Sequence, residues 1–274
     1  MERKIGIIGT GEMGTGVGAV LVAHGVEVWT SLAGRSAASA ERVNRAGMTA
    51  VDGMAELARG CSIVLSIVPP DRALEVAEAF AGACRGRSER PLFVDCNSLA
   101  PATARRIGDV VTAAGARFVD ASILGGVTRA GHVGPHFYAC GPEADVAEFA
   151  ALTAYGADIS PLEGPIGGAS ALKMCQAAIN KAFITIGVAV FDVAARNGIA
   201  EVLAQQYSGK QKPITAFLPP ETSRAYRKAY RWVGEMHEIA TFCADDPNLA
   251  AIYDGLAGYC ATIAERGAGI SASA

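Results

Sequence analysis

Lys4-Ile5-Gly6-Ile7-Ile8-Gly9-Thr10-Gly11-Glu12-Met13-Gly14 is the stretch on which the fold turns. A short apolar run of strand length leads directly into G-x-G-x-x-G, and an Ala/Val/Leu helical pattern follows through His24. In that setting Gly9 permits a tight turn, Gly11 lets backbone approach a pyrophosphate, and Gly14 lets the helix pack closely on the strand. Thr10, Glu12 and Met13 complete the turn, and the helix start offers unpaired N–H groups and a positive dipole end to phosphates. The pattern predicts a dinucleotide site over residues 9–14. The alternative is a domain of the same build that binds no cofactor.

Outward from this turn the first half alternates strand and helix signals. Apolar strand segments run over Lys4–Ile8, Val26–Thr30, Ser62–Ile67, Leu92–Asp95, Phe118–Ala121 and His136–Cys140. Helical spacing runs over Gly14–His24, Ala37–Ala46, Asp71–Ala83, Pro101–Ala114 and Glu143–Ala154. Such alternation predicts an α/β Rossmann domain, a doubly wound and mostly parallel sheet with helices on both faces. After Glu163-Gly164-Pro165-Ile166-Gly167-Gly168 strand signals stop. Ala169–Asn197 reads as one long helix ended by Gly198, and Ser223–Cys243 and Asn248–Arg266 also have helical spacing. The expected division is a nucleotide-binding domain over residues 1–163 and an all-α domain over 164–274. Pro213, Pro219 and Pro220 mark a loop inside the second.

The end of the second strand bears on cofactor choice. An NAD enzyme usually carries a carboxylate there for the ribose 2′-hydroxyl. Here Val28-Trp29-Thr30-Ser31-Leu32-Ala33-Gly34-Arg35-Ser36 has none and offers hydroxyls at Thr30, Ser31 and Ser36 with a guanidinium at Arg35. That mixture suits a 2′-phosphate and so NADP, because arginine forks onto phosphate oxygens. The alternative is a solvated loop arginine. Val68 and Pro69, after the third strand, are placed to wall the dinucleotide. Asn97, after the fourth, is placed to bond a ribose or carboxamide, or to cap the helix starting at Pro101.

Two further features point to chemistry. Gly125 and Gly126 follow Asp120-Ala121-Ser122, and consecutive glycines offer bare backbone N–H groups to an anion, although a glycine pair is also an ordinary turn. Lys173 lies early in the long helix with Gln176 and Asn180 on one side of it. Facing an interdomain cleft, its amine would exchange a proton with a substrate atom, and desolvation would lower its pKa toward the working range. The alternative is a lysine that snorkels to solvent.

Composition excludes several classes. With 51% hydrophobic and 19% charged residues the 274-residue chain has the makeup of an ordered globular protein. A formal charge of −3 gives no electrostatic footprint for nucleic acid or an anionic membrane. Seven scattered cysteines without a C-x-x-C pair read as reduced thiols in a cytoplasmic protein. His132 and His136 sit among Gly131, Gly134 and Pro135, so no metal site is expected. The apolar run Ala182–Phe191 falls short of the ~20 residues of a membrane span and reads as a buried helix.

Together these segments resemble the β-hydroxyacid dehydrogenase superfamily, which includes 3-hydroxyisobutyrate and 6-phosphogluconate dehydrogenases. Gly9-Thr10-Gly11-Glu12-Met13-Gly14 matches its G-x-G-x-M-G, Asp95–Pro101 looks like D-x-S-T-x-x-P, and Asp120–Gly126 looks like the substrate-binding D-A-P-V-S-G-G. Gly164–Gly168 followed by Lys173 matches the glycine-rich turn and catalytic lysine. The resemblance implies Lys173 as general acid/base, substrate contacts from Ser122, Gly125 and Gly126, and a helical domain that forms a homodimer. Two departures stand out: Leu124 occupies the position of a family serine, and Ala177 that of a family asparagine, with Gln176 and Asn180 nearby. The run Arg231–Ala240 is similar to a branch with a distinct C-terminal helical domain, in which Trp232, Glu235 and His237 would line a reshaped pocket or simply pack the helix. The leading expectation is an NADP-dependent oxidoreductase interconverting hydroxyl and carbonyl on a small, anionic metabolite. Imine reduction and non-enzymatic dinucleotide sensing are the alternatives, and retention of Lys173 argues against the first.

Overall fold

The computed structural model describes residues 4–127, 135–208 and 218–271, and divides into two compact units, Met1–Lys173 and Met174–Ala274. The first holds eight strands: β1 (Lys4–Ile8), β2 (Glu27–Ser31), β3 (Thr49–Val51), β4 (Ile63–Ser66), β5 (Leu92–Asp95), β6 (Arg117–Leu124), β7 (His136–Cys140) and β8 (Asp158–Pro161). They form one sheet in the order β3-β2-β1-β4-β5-β6-β7-β8, parallel throughout except for the antiparallel β6–β7 pair. The order reverses direction at β1, so the carboxyl ends of β1 and β4 lie side by side where doubly wound sheets bind ligands.

Strand alternation explains the two-faced core. Ile63 and Leu65 of β4 join Ile5, Ile7, Val28, Leu92 and Val94 in one cluster. Val64, between them in sequence, joins Phe80, Phe93, Ile107 and Phe118 in the other. Six helices cover these faces: α1 (Glu12–Ala23), α2 (Ala37–Arg45), α3 (Met54–Gly60), α4 (Pro70–Cys84), α5 (Pro101–Ala113) and α6 (Glu143–Ala150), the last continued by a 3-10 turn over Ala151–Tyr155. Three elements escape the sequence pattern. β3 has three residues, two of them exposed; α3 has seven; and β8 is an edge strand ending in Pro161, where a missing N–H is harmless.

The second unit is helical. α7 (Gly168–Arg196) enters it from the first, followed by α8 (Ala200–Tyr207), α9 (Leu218–Phe242) and α10 (Pro247–Ser271). Ala229, Trp232, Met236 and Ile239 on α9 pack with Tyr253, Ala257, Cys260 and Ile263 on α10 and with Met174, Ala177 and Val188 on α7. Pro219 and Pro220 fall in the first turn of α9 rather than in a loop, where proline's missing N–H is no loss; Pro213 and His132 lie outside the described residues.

The run Ala182–Phe191 is not a fully buried helix. Val188 is 2% exposed, yet Ile179, Phe183, Ile186, Val190 and Val193 are all exposed and recur at 4-3-4-3 spacing. Among the described residues α7 is the one helix long and apolar enough to cross a membrane by length and composition. Its inner side carries Lys181 paired with Glu235, Asp192 bound by Tyr259 and Arg266, and Thr185 against Cys260, which is the anatomy of a core helix with one uncovered face.

Candidate active site

At the end of β1 the three motif glycines have distinct geometries. Gly9 has φ +128°, and a Cβ there would stand 2.0 Å from the Ile67 carbonyl oxygen. A Cβ on Gly14 would stand 2.0 Å from the Gly9 carbonyl oxygen. Both positions are closed by backbone, which holds the turn on β4 and α1 on the turn. Gly11 differs: it is the N-cap of α1 with φ −76°, and the space its Cβ would fill is open to 4 Å. That opening beside the N–H groups of Glu12 and Met13 has the form of a phosphate cradle, so the residues present fit a dinucleotide. Behind it, Thr10 is buried and its carbonyl accepts a hydrogen bond of 3.0 Å from Arg42 Nε.

Beyond β2 the hydroxyl set separates. Thr30 is fully buried and donates to the Ile7 carbonyl at 2.6 Å, so it pins β2 to β1 and leaves the cofactor set. Ser31 Oγ accepts the Ala33 N–H at 3.3 Å, and Ser36 caps α2 by accepting the Ser39 N–H at 3.3 Å. Arg35 is exposed, and its guanidinium has no partner among the described residues.

Asn97 is bound on every side. Its Oδ1 accepts the Val68 N–H at 2.6 Å, while Nδ2 donates to Ser66 Oγ and Asp95 Oδ2, each at 3.0 Å. It is 3% exposed, and the N-cap of α5 is Ala100, which offers no side-chain cap. Asn97 therefore neither caps α5 nor has a free donor for a ribose; it fixes the backbone of Val68, ahead of Pro69, from behind. Asp95 accepts the Asn97 N–H as well, at 2.9 Å. Burial pushes the Asp95 carboxyl up to about 7, with Asn97's bonds opposing and the neighbouring Asp120 adding to the rise.

Two strands beyond β4 in the sheet, β6 grips the start of α7. Asp120 Oδ2 accepts the N–H groups of Gly167 (2.9 Å) and Ser170 (3.1 Å), and Oδ1 accepts the Ser170 hydroxyl at 2.7 Å. Ser122 donates to the Ala169 carbonyl at 2.7 Å. Ser122 is fully buried, so its hydroxyl serves the fold and is closed to a substrate. One turn along α7, Lys173 Nζ donates to the Ile123 carbonyl at 2.8 Å. Burial lowers its pKa from the usual lysine value. Gly125, with φ +102°, and Gly126 follow Ile123 directly after Leu124, and both are exposed. Lys173 and the glycine pair are thus brought together by β6.

Gln176, Asn180 and Trp232 belong to the second unit. Gln176 is half-buried and Asn180 exposed, while Trp232 is 7% exposed inside the helical core, packing rather than lining an open pocket. Among the described residues no group of His, Cys, Asp and Glu could hold a metal, and His136 Nδ1 pairs with Asp158 at 2.7 Å. Asp120, Asp95 and Ser66 lie within stretches the sequence points to but take no individual role there, and Arg42 enters the site with no such pointer. A carboxylate inside an otherwise apolar strand was a readable signal for Asp120; Arg42, 32 residues from its partner, gave none.

Comparison with known proteins identifies the family and the fold. Residues 4–164 match the family described as the NAD binding domain of 6-phosphogluconate dehydrogenase, and residues 194–263 a domain of unknown function, DUF1932. The mitochondrial 3-hydroxyisobutyrate dehydrogenase of Drosophila melanogaster is 28% identical over 74% of this chain and 62% of its own length. A solved conserved protein of unknown function, described as structurally similar to 3-hydroxyacid dehydrogenases, is 29% identical with a TM-score of 0.69, covering 93% of this chain and 97% of the other. The 3-hydroxyisobutyrate dehydrogenase of Salmonella typhimurium, at 18% identity, shares the fold with a TM-score of 0.76 over 96% and 95% of the two chains.

Proposed function

The chain belongs to the 6-phosphogluconate dehydrogenase NAD-binding family within the β-hydroxyacid dehydrogenase superfamily, an NAD(P)-dependent oxidoreductase acting on CH–OH groups, and from that premise we propose that it uses NADP to interconvert hydroxyl and carbonyl on a small anionic metabolite. The observation that carries the reading is Lys173, its amine desolvated and held at the Ile123 carbonyl beside Gly125. When bound, the nicotinamide supplies or accepts hydride. This chain's residues do the rest. Lys173 Nζ, as an ammonium, gives a proton to the substrate oxygen during reduction and, as an amine, takes it back during oxidation. Burial lowers the Lys173 pKa, which favours the neutral amine more than in a free lysine. The Gly125 and Gly126 N–H groups hold the substrate's anionic group.

The preference for NADP rests on Arg35, exposed and unengaged beside the α2 cap, in a loop without a carboxylate. Self-association into a homodimer is supported by the exposed α7 seam of Ile179, Phe183, Ile186, Val190 and Val193, whose heptad spacing is self-complementary. A cytoplasmic setting fits seven free cysteines. The test is turnover of a hydroxy-acid and keto-acid panel with NADPH and NADH, run beside Lys173→Ala and Arg35→Ala. Lys173→Ala keeps nucleotide binding and loses turnover; Arg35→Ala weakens NADPH and spares NADH. Undiminished turnover in the lysine variant overturns the acid/base assignment, and equal weakening in the arginine variant overturns the NADP preference.

A further inference from the structure

We propose that Arg42 is a positioning residue for the phosphate cradle, holding the Thr10–Gly11 peptide so that the Gly11 N–H faces the dinucleotide; this rests on reading the glycine turn as the cofactor site. Arg42 lies on α2 and is fixed at two points. Nε donates to the Thr10 carbonyl at 3.0 Å and Nη2 donates to Ser39 Oγ at 3.0 Å. Ser39 in turn donates its N–H to Ser36 Oγ, the α2 cap. A planar guanidinium anchored twice has a set direction, which a single-point ammonium cannot copy.

Peptide planarity transmits that direction. In a trans peptide the carbonyl and the following N–H point opposite ways, so a Thr10 carbonyl drawn to Arg42 turns the Gly11 N–H away from it. That N–H has no acceptor among the described residues. A flip of this peptide turns Thr10 ψ and Gly11 φ, and Gly11, with no Cβ and open space beside it, does not resist it. A flipped peptide would present a carbonyl oxygen to a phosphate. Arg42 removes that conformer by giving the buried carbonyl a charged donor. The effect falls on the pyrophosphate, common to NADPH and NADH, and is separate from any contact to a 2′-phosphate.

The test measures dissociation constants of NADPH and NADH for the wild type, Arg42→Gln, Arg42→Lys and Ser39→Ala, with thermal unfolding as a control. Arg42→Gln and Arg42→Lys should bind both nucleotides about ten-fold more weakly, by the same factor for each. Ser39→Ala, which frees one anchor and keeps the charge, should lose about three-fold for both and decides the matter if Arg42→Gln does not fold. Wild-type affinity in Arg42→Lys would overturn the proposal, since charge alone would suffice. So would a loss confined to NADPH, or unchanged affinity in Ser39→Ala. A wild-type protein that binds neither nucleotide would overturn the cofactor reading itself, which is a different result.

Discussion

Ser170 is tied to Asp120 twice, through its N–H to one carboxylate oxygen at 3.1 Å and through its hydroxyl to the other at 2.7 Å. With Gly167 on the same carboxylate, this gives α7 a tertiary N-cap three residues before Lys173. Asp120→Asn replaces one acceptor with an amide N–H facing backbone donors. Urea unfolding should show a loss of about 1–3 kcal/mol, the cost of unsatisfied buried polar groups. Turnover should fall while NADPH affinity holds, because the cradle at Gly11 is built on β1. Affinity falling in step with turnover would mean that the variant damages the whole unit and not the lysine's seat.

Lys173 has a pKa lowered by burial, so the limb of the pH–rate profile that it governs should lie below the ordinary lysine range. Lys173→Met should lower kcat about 10²–10⁴-fold and abolish that limb. Stability carries the matching signature. A base whose folded pKa is depressed costs stability below the folded pKa, and the cost vanishes as pH rises toward the unfolded value. The stability difference between Lys173→Met and wild type should therefore shift in favour of wild type from pH 7 to pH 10. Parallel stability curves would show that the amine is not desolvated.

Asp95 predicts the reverse dependence. Its carboxyl is pushed from 3.8 up to about 7 by burial, so the folded state favours the protonated form. The group costs nothing below the unfolded value, the cost grows as pH rises through that window, and it is complete above 7. The gap in stability between Asp95→Asn and wild type should shift toward the variant by on the order of 4 kcal/mol between pH 4 and pH 7.5, then level off. A pH-independent gap in urea titrations would assign the titration elsewhere.

Gly9 and Gly11 should respond oppositely to the same methyl group. Gly9→Ala combines φ +128° with a 2.0 Å approach to the Ile67 carbonyl, and should destabilise by more than about 2 kcal/mol. Gly11→Ala has an ordinary φ and open space, so stability should be unchanged within about 0.5 kcal/mol. Its methyl would nevertheless occupy the cradle, and both nucleotides should bind at least about ten-fold more weakly. Unimpaired binding in Gly11→Ala would place the phosphates elsewhere.

What was legible in the sequence was local. The β1–glycine–α1 unit and the alternation of strands and helices follow from short-range pattern, whereas the hydrogen bond from Lys173 to Ile123, across 50 residues, does not. Hydroxyl roles were not legible, because a serine or threonine that pins two strands looks the same in sequence as one that binds a ligand. Thr30 and Ser122 proved to be pins, and Asn97 a brace for Val68. β3 and α3 were too short to show a period, and Arg42 acts across 32 residues. The outer stripe of α7 read as core because apolarity alone does not say which side of a helix has neighbours.

The alternation of β6 limits how this protein can be altered. Asp120 and Ser122 reach the start of α7 from the same side of the strand because they are two residues apart. Inserting or deleting a single residue between Asp120 and Ser122 would invert that parity and turn one of the two to the opposite side of the sheet. Changes in length between these two residues must come in pairs, whereas point substitutions at Leu124, whose side chain makes none of these bonds, leave the grip intact.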